Sequence, residues 1–407
     1  MADVAVETNL HIVVDRKLVR VGPIWTDPDT GYVFFVNVET RLRYRKTTDG
    51  GATWGSDVQI NQNLTGLVDI WFDRWTPDDS GTDIHIWYID YSRDDCLYRS
   101  LDTSTDTLSI ERTIFAGVSA NQHRIDSGLS GTKAVDGNLY VQIWLDHLGE
   151  RRFSRSTNGG VSWSTRASGD DGFASDHVLM YPDAMSADSQ DVVMIYWDRS
   201  ANEISIKKYD NSANSWSEAV ISTAMNDDPE LLQMDAVLRH TDGHIILVAW
   251  TRFNSGAANL KCWDINVSTP SVVEKTNVIT TADDCVGVAL FINQINDTLY
   301  CTYIGQNDGA QTFGVLDVHY KSSTDGGVTW SGETTYAETA ADVRLVSAGH
   351  STPGNAAGRF QPAFTQRNAA TLYINTNNDI ELPLGVTIPL PLRNKRLQSM
   401  ADHPAMI

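Results

Sequence analysis

One eight-residue pattern occurs three times in the chain: Thr47-Thr48-Asp49-Gly50-Gly51-Ala52-Thr53-Trp54, Ser156-Thr157-Asn158-Gly159-Gly160-Val161-Ser162-Trp163 and Ser323-Thr324-Asp325-Gly326-Gly327-Val328-Thr329-Trp330. Looser copies fall between them. Tyr209-Asp210-Asn211-Ser212-Ala213-Asn214-Ser215-Trp216 keeps the Asn, Ser and Trp, and Leu101-Asp102-Thr103-Ser104-Thr105-Asp106-Thr107-Leu108 keeps the polar turn and an apolar end. Trp263-Asp264-Ile265-Asn266-Val267-Ser268-Thr269-Pro270 keeps only the spacing and polarity. Their last positions, 54, 108, 163, 216, 270 and 330, lie 54, 55, 53, 54 and 60 residues apart. A second ruler agrees: apolar runs at 32–38, 84–89, 139–145, 192–197, 245–250 and 299–304 carry the anchors Trp87, Trp144, Trp197, Trp250 and Tyr303, which step by 57, 53, 53 and 53.

Self-similarity at a fixed period signals a repeat architecture. In each unit the aromatic run precedes the box by one strand-turn-strand interval. Each unit therefore reads as a meander of four strands, with the box at the turn between the third and fourth. In such a turn Asp or Asn binds backbone N–H groups, Gly supplies positive φ, and the Trp is left to bury between neighbouring sheets. A lone four-stranded sheet cannot bury both faces, whereas sheets stacked around an axis can, so the pattern predicts an all-β propeller.

Six boxes give six blades. A seventh is expected from Arg359-Phe360-Gln361-Pro362-Ala363-Phe364, Thr371-Leu372-Tyr373-Ile374 and Ile380-Glu381-Leu382, read as its first three strands. Pairing His11-Ile12-Val13-Val14 with this trio would close the ring without a free edge. Residues 1–388 are thus expected to form one propeller domain. Residues 389–407, with Pro391 and the basic run Arg393-Asn394-Lys395-Arg396, are expected to form a tail outside it.

Composition narrows the partners. A formal charge of −21 opposes binding to nucleic acid, which needs a cationic surface, and adsorption on anionic lipid. No stretch approaches the roughly 18–20 apolar residues needed to span a bilayer. Met1-Ala2-Asp3-Val4-Ala5-Val6-Glu7 has neither the basic start nor the apolar core of a secretory leader, which predicts synthesis in the cytoplasm. Cys96, Cys262, Cys285 and Cys301 lie far apart without a C-x-x-C pair and read as buried thiols. Asp27-Pro28-Asp29-Thr30-Gly31 reads as a turn rather than a calcium loop, and neither a metal nor a cofactor is expected.

The three complete boxes resemble the Asp-box (BNR repeat) of sialidase-like β-propellers, over roughly residues 20–340. The resemblance implies that Asp49, Asn158, Asn211 and Asp325 brace turns and that Trp54, Trp163, Trp216 and Trp330 pack blades. It also implies that ligands bind on the face opposite the boxes. Sialidases of this family use an arginine triad, an Asp acid/base and a Tyr–Glu nucleophile pair. Their F/Y-R-I-P opening is replaced here by Val21-Gly22-Pro23-Ile24-Trp25, and the nearest match is His123-Arg124-Ile125-Asp126.

On the face opposite the boxes, Arg124, Arg199, Arg252 and Arg359 are candidates to clamp an anionic sugar through guanidinium–carboxylate pairing. His350 is placed on the same face. His123, His177 and Tyr181 are the candidate acid and base of a uronate lyase, and Glu150 and Glu203 are candidate glycosidase carboxylates. Trp71, Phe72 and Trp75 exceed what one strand face can bury, so Trp75 is a candidate stacking platform for a sugar.

The function expected is a non-catalytic propeller recognising a surface glycan or a protein partner. The alternatives are a glycosidase or polysaccharide lyase acting on an acidic sugar, and an assembly component such as a virion surface or tail protein docking through 389–407.

Overall fold

A computed structural model describes residues 3–8, 10, 22–118, 128–145, 149–169, 178–198, 201–225, 234–251, 258–268, 271–282, 284–306, 317–337, 343–354, 356–366 and 371–382. Apart from a three-residue 3-10 turn, Asp73–Trp75, their regular structure is β-strand. The strands form seven antiparallel four-stranded blades in a ring, a seven-bladed β-propeller.

Blade 3 shows the common plan. Its inner strand Gly128–Lys133 pairs with Leu139–Leu145, which pairs with Glu150–Ser156, which pairs with the outer Ser164–Thr165. Each second strand lies between two others and between two blades, so it is largely apolar: Leu139–Leu145 and Val192–Asp198 are buried at every position. The outer strand Ser215–Ser222 is largely exposed. The anchors Trp87, Trp144, Trp197, Trp250 and Tyr303 are all buried, none more than 3% exposed. Their burial supplies much of the apolar area that holds the blades together.

The inner strands splay from one blade to the next, so their edge N–H groups need other partners. Side chains supply them. Asp69 of the blade 2 inner strand, Thr65–Phe72, accepts from Ser130 Oγ and Gly131 N, both at 2.9 Å, on blade 3. Ser130 Oγ in turn accepts from Met180 N of blade 4 at 3.1 Å. Asp235 on blade 5 accepts from Leu290 N on blade 6 at 2.8 Å.

Blade 7 has a different composition from the expected one. Its strands run from Val343–Ser347 through Ala363–Gln366 and Leu372–Asn375 to Asp3–Glu7, which closes the ring. Asp3 faces Asn375 and Val4 faces Ile374, with Asn375 Nδ2 donating to Asp3 Oδ1 at 2.9 Å. The closing strand is thus Asp3–Glu7, not His11-Ile12-Val13-Val14, which lies outside the described residues. Of the stretch 359–364 expected as the first strand, the start lies in Gly358–Phe360, which instead pairs with Ile380–Leu382, the expected third strand, as a separate ribbon, while the end enters the blade in Ala363–Gln366. Cys96, Cys262 and Cys301 are buried thiols, and burial pushes Cys262 up to about 12. The side chain of Cys285 and residues 389–407 lie outside the described residues.

Candidate functional site

The box turns occupy one face of the ring. In the first, Asp49 Oδ1 accepts from Thr53 N at 2.9 Å and Thr47 Oγ at 2.8 Å, while Oδ2 accepts from Thr53 Oγ at 2.6 Å. Asp325 repeats this with Thr329 and Ser323; Asn158 Oδ1 accepts from Ser162 N and Ser156 Oγ in the same way, but its Nδ2 donates to Ser162 Oγ. The hydrogen bonds from Thr329 hold the Asp325 carboxyl down to about 2, and those from Thr53 lower Asp49. Both glycines of each box have positive φ, and the second sits against the preceding blade: Gly51 on Gln361, Gly160 on Tyr98, Gly327 on Cys262. The box tryptophans bind the same neighbours. Trp163 packs edge-on against Tyr98 at 5.4 Å, and Trp330 Nε1 donates to Thr276 O at 3.0 Å. Trp54 packs against the blade 7 cluster, and Trp216 Nε1 donates to Ala167 O at 2.7 Å.

In the looser turn of blade 4 the brace is Asp210, one residue earlier than expected. It accepts from Ser212 Oγ at 2.7 Å and Ala213 N at 2.8 Å. Asn211 faces blade 3 instead, accepting from Tyr140 OH at 3.1 Å and from Arg155. Asp27 Oδ1 accepts from Asp29 N and Thr30 N at 2.9 and 2.8 Å, which makes that segment a turn.

The same end of the axis is filled by rings. Trp71 meets Trp75, Tyr181 and His350 at centroid distances of 5.8, 6.0 and 5.4 Å, and all four are buried. Trp75 Nε1 donates to Ser351 O at 3.2 Å, Tyr181 OH to Ala236 O at 2.5 Å, and Leu238 N to His350 Nε2 at 3.0 Å. Three expectations are corrected here. Trp75 offers no face to a sugar, because the 3-10 turn folds it back onto the axis. Tyr181 is a buried donor to a backbone carbonyl, not an exposed acid. His350 belongs to the box side, because the connection after an inner strand emerges there.

Arg359 is the fourth correction. It lies on the ribbon beside the first box, donating to Pro28 O at 2.8 Å, pairing with Asp379 and standing over the Trp25 ring at 5.6 Å. Its contacts therefore hold it on the box side, not on the opposite face where it was expected.

A buried ionic cluster, which no motif announced, lies between blades 2 and 3. Asp73 accepts from Lys133 Nζ at 2.5 Å and pairs with His85 Nε2 at 2.9 Å; His85 Nδ1 meets Tyr98 OH at 2.7 Å. Lys133 also reaches Asp79 at 2.7 Å. Burial alone would raise Asp73, but the bonds and charges of His85 and Lys133 overcome it and hold the carboxyl well below its usual range. Asp83 N completes the set at 2.9 Å, so the cluster pins the connection from 73 to 83.

The opposite side of the ring is where inner strands begin and second strands end. The segments holding His123 and Arg124, His177, Arg199 and Arg252 connect strands at that side, and these residues lie outside the described ones. The described rim is internally paired. Buried Asp90 accepts from Ser92 N, Asn63 Nδ2 and Arg93 Nε at 2.9, 2.7 and 2.9 Å, and Arg93 continues to Glu111 at 2.7 Å. Glu150 pairs with Arg152 at 2.6 Å, and Glu203 accepts from Ser205 Oγ at 3.0 Å. Among the described residues no group of three His, Cys, Asp or Glu side chains is placed to hold a metal.

The chain matches no protein-family model and no curated protein sequence. Its fold does have relatives among solved structures. An ulvan lyase, a polysaccharide lyase determined with -[GlcA(1-4)Rha3S]- bound, aligns with a TM-score of 0.59 at 11% identity, over 91% of this chain and 95% of that one. AofleA from Arthrobotrys oligospora aligns at 0.50 and 10% identity, over 83% and 89%. At such identities the likeness establishes the propeller fold alone.

Proposed function

We propose that the protein is an Asp-box propeller that binds an anionic carbohydrate on the face opposite its boxes, without turning it over. The observation that carries this reading is the division of labour between the faces. On the box side every brace carboxylate is taken up by its own turn, the axis is filled by Trp71, Trp75, Tyr181 and His350, and Arg359 is held by Asp379. The remaining candidate ligand side chains, Arg124, Arg199, Arg252, His123 and His177, lie outside the described residues, and we assign them to the other side from the strands that flank them in sequence. Arg199 and Arg252 hold equivalent places two residues past the anchors Trp197 and Trp250, which suits a bidentate grip on a carboxylate or sulfate. The ulvan lyase, bound to an acidic sugar on a similar scaffold, supports the ligand class.

The test is an array of sialylated, uronate-bearing, sulfated and neutral glycans probed with the full chain. Acidic glycans should be retained, and Arg199→Ala with Arg252→Ala should abolish retention. Retention of neutral glycans only, or unchanged affinity in the double variant, would overturn the reading. Turnover of a sialoside or uronate polymer would replace it with the lyase or glycosidase alternative, from which the buried Tyr181 hydroxyl already removes one candidate acid.

A further inference from the structure

We infer that Asn158 is a site of spontaneous covalent conversion to aspartate, in the one complete box that lacks a carboxylate brace. The chain contains a single Asn-Gly dipeptide, Asn158-Gly159, and it stands where the other complete boxes have Asp49-Gly50 and Asp325-Gly326.

The turn prepares the amide for attack. Asn158 Oδ1 accepts from Ser156 Oγ and from Ser162 N, each at 2.9 Å. Two donors on one carbonyl oxygen polarise Cγ and stabilise the negative charge that forms on that oxygen during addition. The attacking group is exposed. Among the described residues Gly159 N–H has no acceptor, whereas the equivalent Gly50 N–H is held by Asp29 O at 3.0 Å. A Cβ on Gly159 would meet nothing within 4 Å, so no neighbouring group crowds this side of the turn. Asn158 Nδ2, the leaving nitrogen, donates to Ser162 Oγ at 2.9 Å.

The step balances without a redox partner. Gly159 N loses its proton to solvent base and bonds to Asn158 Cγ. The Cγ–Nδ2 bond breaks, and the nitrogen leaves as ammonia after taking up a proton. Water then opens the cyclic imide. Attack at Cγ leaves an ordinary aspartate at this position, whose carboxylate can accept from Ser162 Oγ as Asp49 accepts from Thr53 Oγ at 2.6 Å. Attack at the backbone carbonyl yields an isoaspartyl linkage, which lengthens the turn by one backbone atom.

Incubating the folded full chain in mildly alkaline buffer, then mapping its peptides by mass, tests the inference. The amide-to-acid mass change should accumulate at Asn158 at least severalfold faster than at the exposed Asn202, Asn214 and Asn377, with release of ammonia. An Asn158→Asp variant should show no such change and should melt at or above the temperature of the parent. If the folded chain stays unmodified while the same chain in denaturant converts, the turn protects the amide and the inference fails. A variant that melts well below the parent would refute the claim that the acid suits this box.

Discussion

Gly159 and Gly160 are neighbours in one turn, yet a methyl group added to each meets different surroundings. Their φ values, +66° and +84°, both penalise an L side chain by about 1–2 kcal/mol. At Gly159 that is the whole cost, since nothing lies within 4 Å; at Gly160 the new carbon would overlap the Tyr98 ring. Gly160→Ala should therefore lose roughly a further 1–3 kcal/mol, as overpacked cores do. Denaturant titration of the two variants side by side checks the order. Asp73 makes a second residue-scale case. Its folded carboxyl titrates well below an unfolded one, so its contribution is complete above about pH 3.9 and is lost as pH falls through the folded value. Asp73→Ala leaves Lys133 to Asp79 and His85 to Tyr98 alone, and should cost about 3 kcal/mol at neutral pH. The variant should also show a shallower acid limb when unfolding midpoints are plotted against pH.

At the scale of elements, the closing strand shows what the sequence could and could not reveal. The boxed blades were legible because each complete box answers a local demand, a tight turn with two positive-φ positions, that few residue types satisfy. Blade 7 has no box, so only apolar runs marked it, and Gly358–Phe360 was indistinguishable from a blade strand. Asp3–Glu7 carries little strand signal, because only Val4, Ala5 and Val6 are apolar and no alternation marks a buried face. Removing residues 1–8 should leave the Leu372–Asn375 edge unpaired, lower the unfolding midpoint and promote self-association through that edge. Light scattering and thermal melts measure both effects.

Across the whole molecule the two faces have separate duties, and their residues should respond separately. Trp75→Ala removes a filled ring from the axis and should cost about 3–5 kcal/mol. Arg359→Ala should loosen the ribbon at the first box. Neither should change glycan retention, whereas changes at Arg199 and Arg252 should do so without shifting the melt. The candidate site was legible only as a side of the ring. Trp75, Tyr181 and Arg359 were misplaced because residue type reports polarity and bulk, whereas burial depends on where a turn redirects the chain.

Closing the ring with Asp3–Glu7 also governs how the molecule comes into being. Asp3 and its partner Asn375 are 372 residues apart, so the strand Asp3–Glu7 must wait for those residues to be translated before it can pair. At roughly 5–20 residues per second that interval lasts tens of seconds, during which the nascent polypeptide carries an unmatched strand. Any message cut short before residue 375 would therefore yield an open, edge-bearing arc, a form that cellular quality control can tell from the finished circle.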